Sequence, residues 1–194
     1  QIMQLIEDED VEFIRLQFTD MFGNLKNIAI TPGQLEKIQD CKYPFESSAV
    51  FDDLYDPEEN LFLVPDLDSF TILPWRPQQG KVAKFICDVI KQDGTPYTLS
   101  PRTILKNVLE DAKKEGYTFV VDPECEFFLF HTDDNGTPTT ITHEKAGYLD
   151  VGPLDLGENA RREMVLTLED MGFEIESSHH EKAPAQHEID FTQA

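Results

Sequence analysis

Residues 176–191 read ESSHHEKAPAQHEIDF. Glu176, Glu181, Glu188 and Asp190 sit here with His179, His180 and His187 between them, the densest run of potential metal ligands in the chain. Ile175, Ile189 and Phe191 flank or interrupt the polar groups, so the stretch is more than a solvated charge run. A carboxylate or imidazole held among apolar side chains is costly unless it is paired or bound to a metal. The stretch divides into two strands, 173–181 and 186–191, joined through KAPA at 182–185. It reads as one wall of a divalent-cation site.

A second wall is offered by YTFVVDPECEFFLF at 117–130, the most strand-like segment of the chain. On a strand, Glu124 and Glu126 leave the same face, and Phe128 and Phe130 follow on it. Two carboxylates one strand period apart, beside large aromatics, repel each other and lose hydration, and a bound cation removes both penalties. Hard ions such as Mg²⁺ and Mn²⁺ prefer such oxygens and often bridge to phosphates. Taken alone, Glu124 and Glu126 fit an exposed strand face better than a cation site. Together with Glu181 and Glu188 they make four glutamates on strands, each embedded in apolar sequence. For each histidine, a structural role or a substrate contact outweighs metal ligation. Hydrolysis by a paired acid and base at Glu124 and Glu126 ranks lower, because no sugar-binding aromatic groove accompanies them.

Composition narrows the function classes. The 194 residues carry a net charge of −22, which argues against non-specific binding to nucleic acid or anionic membranes. Fourteen phenylalanines and an ordinary apolar fraction allow a real core. Cys41, Cys87 and Cys125 are odd in number and widely spaced, so they support neither a disulfide framework nor a zinc finger. A reducing compartment, and hence a cytoplasmic location, is expected. No apolar run reaches membrane-spanning length, and no signal peptide stands before the first strand. The chain starts at Gln1 and stops at FTQA, so both ends are expected to be cut. There is no P-loop, no G-x-G-x-x-G after a strand, and no Ser/His/Asp or Cys/His pairing.

Outward from the two walls, the chain predicts an α+β protein. Residues 1–6 look like the tail of a helix. VEFIRLQF at 11–18 and LKNIAI at 25–30 form a hairpin around TDMFGN, and Thr31-Pro32 opens a short helix. Residues 41–60, with the acidic tract DDLYDPEEN, read as a long loop, functional or merely mobile. Strands follow at 61–64, 70–73 and 81–91, and DGTPYTLS marks a boundary, giving domains 1–94 and 95–194. Ser100-Pro101 starts a helix whose apolar face is Ile104, Leu105, Val108, Leu109 and Ala112, closed by Gly116. Asp134-Asn135-Gly136 turns a hairpin back into TTIT at 139–142. Residues 143–157 form a loop, and Asp155 and Glu158 have capping-box spacing before a helix carrying Ala160, Met164, Leu168 and Met171, stopped by Gly172.

The segments IRLQFTDMFGNLKN, PDLDSFTILPW, KVAKFICDV, DPECEFFLF, DLGENARREMVLTLEDMGFEIESSHHE and APAQHEIDF closely resemble bacterial class I glutamine synthetase. They cover nearly the whole chain in order, and the E-x-E on FFLF and HHE-x-A-P-x-Q-H-E are specific motifs. The resemblance implies an N-terminal β-grasp domain followed by the first part of a catalytic domain with a curved antiparallel sheet. It implies ATP-dependent ligation of ammonia to glutamate through γ-glutamyl phosphate, with two Mg²⁺ or Mn²⁺ ions. Carried over by motif, Glu126, Glu181 and Glu188 would ligate one ion and Glu124 would help ligate the other. Glu176 would lie at the ATP. Closed homo-oligomeric rings are implied as well. About half of that enzyme lies beyond Ala194, so these residues alone are expected to be inactive.

Two stretches depart from the pattern. Where the family usually has F-D-G-S-S, which serves ammonium, this chain has Phe45-Glu46-Ser47-Ser48, and Glu46 is a candidate substitute after a one-residue shift. Leu149 and Gly152 in GYLDVGP replace parts of GYFD-x-x-P. The amine is therefore the open part of the substrate. A sister ligase joining another amine to glutamate, and a non-catalytic assembly or regulatory homologue, are the alternatives.

Overall fold

The computed structural model describes residues 2–40, 43–51, 60–75 and 80–193. Its compact units are Gln1–Phe119 and Val120–Ala194. Of the features read from sequence, Cys41 and the acidic tract at 52–59 lie outside the described residues.

The first unit is built on β1 (Val11–Thr19) and β2 (Leu25–Ile30), which pair antiparallel with Ile14 opposite Ile30 and Thr19 opposite Leu25. Asp20 shapes the turn between them. Its Oδ1 accepts from the backbone N–H groups of Phe22 and Asn24 at 2.9 and 2.8 Å, and its Oδ2 from Asn24 Nδ2 at 3.0 Å. Those bonds, led by the Asn24 side chain, hold the Asp20 carboxyl down at about 2. Gly23 takes φ +82°, the conformation that its lack of a Cβ permits at no steric cost.

The same sheet grows on the other side of β1. The long β6 (Lys81–Lys91) runs parallel to it and antiparallel to β4 (Leu61–Pro65) and β5 (Thr71–Ile72). The main order is β2-β1-β6-β4-β3, with β3 (Tyr43–Pro44) at the edge. An irregularity between Val11 and Phe13 brings Val11 into the core with Ile14, Leu16 and Phe18, while Phe13 stays exposed. Helices α1 (Ile2–Asp8) and α2 (Pro32–Asp40) contribute Ile6 and Leu35 to that core. Each Leu, Ile or Phe buried there stabilises the fold by about 1.5–3 kcal/mol.

Residues 41–60 were expected to be loop, yet they contain β3 and a short α3 (Ser48–Phe51). Phe51 is buried and meets Tyr97 edge to face at 5.1 Å. Without a period, the segment carried no strand or helix signal; tertiary burial of single aromatics organises it. A 3-10 turn at Leu67–Ser69 is capped by the Asp66 side chain, which accepts from Asp68 N–H at 3.2 Å.

The next helix, α4 (Pro101–Lys114), begins and ends where Ser100-Pro101 and Gly116 predict. Two expectations about it fail. The buried Ser100 side chain makes no capping bond. The apolar stripe Ile104, Leu105, Val108 and Leu109 is exposed, and the buried residue is Thr103. Charge, not apolar burial, ties α4 to the sheet: Arg102 bridges Asp66 and Asp88, and Lys106 Nζ lies 2.7 Å from Asp88.

In the second unit, the single strand expected at 117–130 is shorter and divided. Residues 117–123 join no strand; β7 (Glu124–Phe128) and β8 (Phe130–Thr132) enter different sheets. Leu129 is the joint, its N–H donating to Ala185 O at 3.0 Å and its C=O accepting from His143 N–H at 3.2 Å. β9 (Pro138–Thr142) returns against β8 around Gly136 at φ +80°. After a loop comes α5 (Glu158–Asp170), then β10 (Ile175–His180) and β11 (Gln186–Phe191). β10, β11 and β7 form an antiparallel sheet in that order. Gly157, not Asp155, is the N-cap of α5; Asp155 accepts instead from Gly157 N–H at 2.9 Å and from Arg161. Among the described residues no helix is long and apolar enough to cross a membrane.

Candidate metal centre

The strand period and the ladder register together sort the side chains of β10, β11 and β7 onto two faces. Glu188 lies opposite Glu126 on β7 and opposite His179 on β10; Asp190 lies opposite Glu124 and Ser177. Directly opposed residues share a face, so Ser177, His179, Glu124, Glu126, Glu188 and Asp190 project together. Glu181, two residues beyond His179, continues that face past the end of β10. The other face carries Cys125, Phe127, His180, His187 and Ile189.

On the acidic face, Glu188 is the common member of two ligand groups. One joins it to His179 and Glu181, the other to Glu124 and Asp190, with ligand atoms in each within 4.8 Å of one another. His179 Nε2 lies 3.4 Å from Glu181 and 3.5 Å from Glu188, and its buried Nδ1 has no hydrogen-bond partner. The Asp190 carboxylate accepts from Ser177 Oγ. Among the described residues, no Lys or Arg pairs with these carboxylates.

Crowding sets the proton positions. Burial first, then the hydrogen bond to Glu181 and the charges of Asp190, Glu181 and Glu124, push Glu188 up to about 7. Glu181 moves down. Its Oε2 accepts from Lys182 N–H at 3.0 Å, which outweighs burial, and Glu188 donates to it. Of the two carboxyls, Glu188 is the one that holds a proton more tightly, and it would have to give that proton up to an ion. A set of carboxylate oxygens with one imidazole beside them, and no Lys or Arg paired with them among the described residues, fits a hard divalent cation such as Mg²⁺ or Mn²⁺.

The candidates named from sequence are placed unevenly. Glu124, Glu181 and Glu188 are brought together. Glu126 faces Glu188 across the ladder but is exposed, and its Oε2 accepts from Gln186 Nε2 at 2.6 Å. Glu176 is exposed, at the irregularity between Ile175 and Ser177, and joins neither group. In the first unit, exposed Glu46 accepts a hydrogen bond from Ser48 Oγ. His179 and Asp190 were not singled out as ligands. The signal was there, since each lies two residues from a chosen glutamate.

The opposite face carries a polar layer that sequence reasoning missed. Glu144, from the loop before α5, accepts from His180 Nε2 and Ala185 N–H, both at 2.7 Å, and from Ala146 N–H. His180 Nδ1 reaches Glu181 O at 2.6 Å. Both partners of His180 are acceptors, so its ring carries both protons. Burial pulls its pKa down, but the bonds to Glu144 and Glu181 outweigh burial and raise it. Glu144 is lowered: burial opposes this, and His180 and the two amides overcome it.

Arg161 on α5 completes the layer. It donates to Asp155 Oδ2 at 2.8 Å and to His187 Nδ1 at 2.7 Å. His187 is thus a neutral acceptor at Nδ1, held low by burial and then by the neighbouring guanidinium. Its Nε2 is buried without a partner, against Gly157, where a Cβ would come within 2.4 Å. Glu144, His180 and His187 also lie close enough to hold an ion. The hydrogen bonds already made, the Arg161 charge and the Gly157 backbone leave them a structural role instead.

Family models decide what such a chain is similar to. "Glutamine synthetase, beta-Grasp domain" matches residues 10–92, and "Glutamine synthetase, catalytic domain" matches 98–194. The chain belongs to the glutamine synthetase family. Within that family, it is 60% identical over 190 residues to a glutamine synthetase of Clostridium saccharobutylicum, covering 98% of this chain and 43% of that protein. It is 50% identical over 194 residues to one from Staphylococcus aureus, covering 100% of this chain and 44% of that protein. The chain thus spans less than half the length of these curated family members.

Solved structures agree on the fold. A GmaS/ADP complex superposes with a TM-score of 0.83 at 25% identity, over 100% of this chain and 44% of that one. The glutamine synthetase of Plasmodium falciparum superposes at 0.80, with 21% identity over the same shares, a likeness of fold alone. The expected architecture, a β-grasp unit followed by an antiparallel sheet with helices from the family's catalytic domain, is therefore present.

Proposed function

We propose that the whole protein to which these residues belong is a glutamate–ammonia ligase. It would join ammonia to the γ-carboxyl of glutamate at the expense of ATP, through γ-glutamyl phosphate. The observation that carries this is Glu188: a buried carboxyl whose pKa is pushed up to about 7 amid Glu181, Glu124 and Asp190, with His179 beside it and no Lys or Arg paired with it among the described residues. Such an arrangement has a physical reason to exist when a divalent ion occupies it.

Glu124, Glu126, Glu181 and Glu188 would hold Mg²⁺ or Mn²⁺, with Glu126 leaving Gln186 to do so. When bound, the ion screens the phosphates of ATP and stabilises charge developing on the transferring phosphoryl group. The chain's own work is to keep four carboxylates convergent, release the Glu188 proton and hold Glu181 ionised through Lys182 N–H. Glu176 is proposed at the ATP and Glu46 at the ammonium. The ADP in the GmaS complex supports a nucleotide-using site in this fold. A cytoplasmic ring of identical subunits that binds neither membrane nor nucleic acid completes the proposal. The 194 residues alone are proposed to be inactive, since the relatives named for the activity are more than twice as long.

The test is phosphate release from ATP by the intact gene product, with glutamate fixed and ammonium compared with a panel of amines. Ammonium-dependent release, lost in Glu188→Gln, is expected. Release with another amine alone would move the protein to a sister ligase.

A further inference from the structure

The turn between Glu181 and Glu188 is held from behind. Glu144 Oε1 accepts from Ala185 N–H and His180 Nε2, both at 2.7 Å. His180 Nδ1 in turn fixes the carbonyl of Glu181 at 2.6 Å. One buried carboxylate, from a loop 36 residues before His180, thus reaches both shoulders of the turn: Ala185 directly, and Glu181 through the ring. Ala185 is buried at φ +58°, an unusual conformation for a residue with a Cβ. Its N–H to Glu144, and its C=O accepting from Leu129 N–H at 3.0 Å, hold it there. Glu144 belongs to neither ligand group of the acidic face, so the ion proposed above does not explain its burial.

We propose that Glu144 is a positioning residue for the acidic face, setting the separation and aim of Glu181 and Glu188 by pinning both ends of the 181–185 turn. This rests on the metal-centre proposal above. Groups behind a metal ligand typically change affinity by about 10–100-fold when removed. Glu144→Gln keeps one acceptor oxygen but replaces the other with an amide that cannot accept, so the three donors are no longer all satisfied.

The experiment titrates Mn²⁺ into the intact protein by calorimetry and records the metal-free melting temperature of each variant. The wild type, Glu144→Gln, Asp155→Asn and Glu188→Gln are compared. Asp155→Asn disturbs the same buried layer on the α5 side without touching the turn. A positioning role predicts Mn²⁺ affinity about 10–100-fold weaker in Glu144→Gln, and within about twofold of wild type in Asp155→Asn, even where both melt lower. Affinity within twofold of wild type in Glu144→Gln overturns the inference, as does loss in proportion to melting temperature across both variants. If Glu144→Gln does not fold, Glu144→Asp, which keeps the charge one methylene short, takes its place under the same criteria. Mn²⁺ binding that is absent in wild type, or unchanged in Glu188→Gln, would overturn the metal centre itself and this inference with it.

Discussion

The first unit buries Ile14, Leu16, Leu35, Phe51, Leu61, Leu63, Phe85 and Val89 around one sheet. In the second unit, the buried residues are chiefly Glu144, Asp155, Arg161, His180, His187 and Glu188, with Ala146, Ala185 and Ile189 as the apolar members. Many of its large apolar side chains, among them Phe128, Phe130, Ile141, Leu154 and Leu156, are exposed. Apolar burial is non-directional and rewards area, so it makes a stable platform. Hydrogen-bonded charges are directional and costly if one partner is missing, so they place groups more than they stabilise them. Within the described residues, the first unit is organised by an apolar core and the second by hydrogen-bonded polar groups behind its sheet.

The largest effect expected from breaking the polar layer comes from Arg161→Leu, which leaves Asp155 buried without its cation. Chemical unfolding followed by hydrogen exchange in α5 and β10 should show a loss of about 3–5 kcal/mol; a loss below ~1 kcal/mol would mean that the layer does not hold the second unit together. Leu16→Ala tests the other side of the comparison. It should cost about 2–5 kcal/mol, read from amide exchange in β1 and β6, and leave Mn²⁺ affinity unchanged. Gly157→Ala places a Cβ against His187 Nε2; overpacking there should cost about 1–3 kcal/mol by thermal melting.

The dependence on pH sharpens the comparison, because it belongs to the second unit. Glu144 has a lowered pKa, so its contribution is present above 4.5 and is lost as pH falls through the folded value. His180 has a raised pKa, so its contribution is present below 6.5 and is lost as pH rises through the folded value. Glu188 is also raised, so it favours the native state below 4.5 and ceases to do so as pH rises through about 7. Melting of the second unit should therefore peak between these limits, and Glu144→Gln should flatten the acid limb. Mn²⁺ should raise the melting temperature more at pH 8 than at pH 5.5, because at the lower pH it must first displace the Glu188 proton. A melting profile with the same pH dependence in both units would undo the contrast. At the small end, Lys114→Ala removes an exposed ion pair to Asp111 and should leave the melting temperature indistinguishable from that of the wild type.

Local pattern carried the sequence analysis far in places. The alternation in KVAKFICDVIK predicted β6 at 81–91, and Ser100-Pro101 with Gly116 predicted the ends of α4. It failed where partners are distant. The alternating run at 117–130 resembles one strand, but Leu129 turns away to meet Ala185 and His143. The stripe on α4 resembles a buried face, but Arg102 and Lys106 dock the helix by its charged side.

For the candidate metal centre, the sequence by itself determined which polar groups share a face: a period of two puts Glu124 with Glu126, Glu188 with Asp190, and His179 with Glu181. Only the tertiary structure decided that β11 lies between β10 and β7, which makes Glu188 the shared member, turns Glu126 to Gln186 and raises the pKa of Glu188. It alone revealed Glu144, Asp155 and Arg161 behind that face. The physical reason is range. Strand period acts between residues one or two apart, whereas ladder register, burial and the sharing of a proton are set by groups that meet only when the chain has folded.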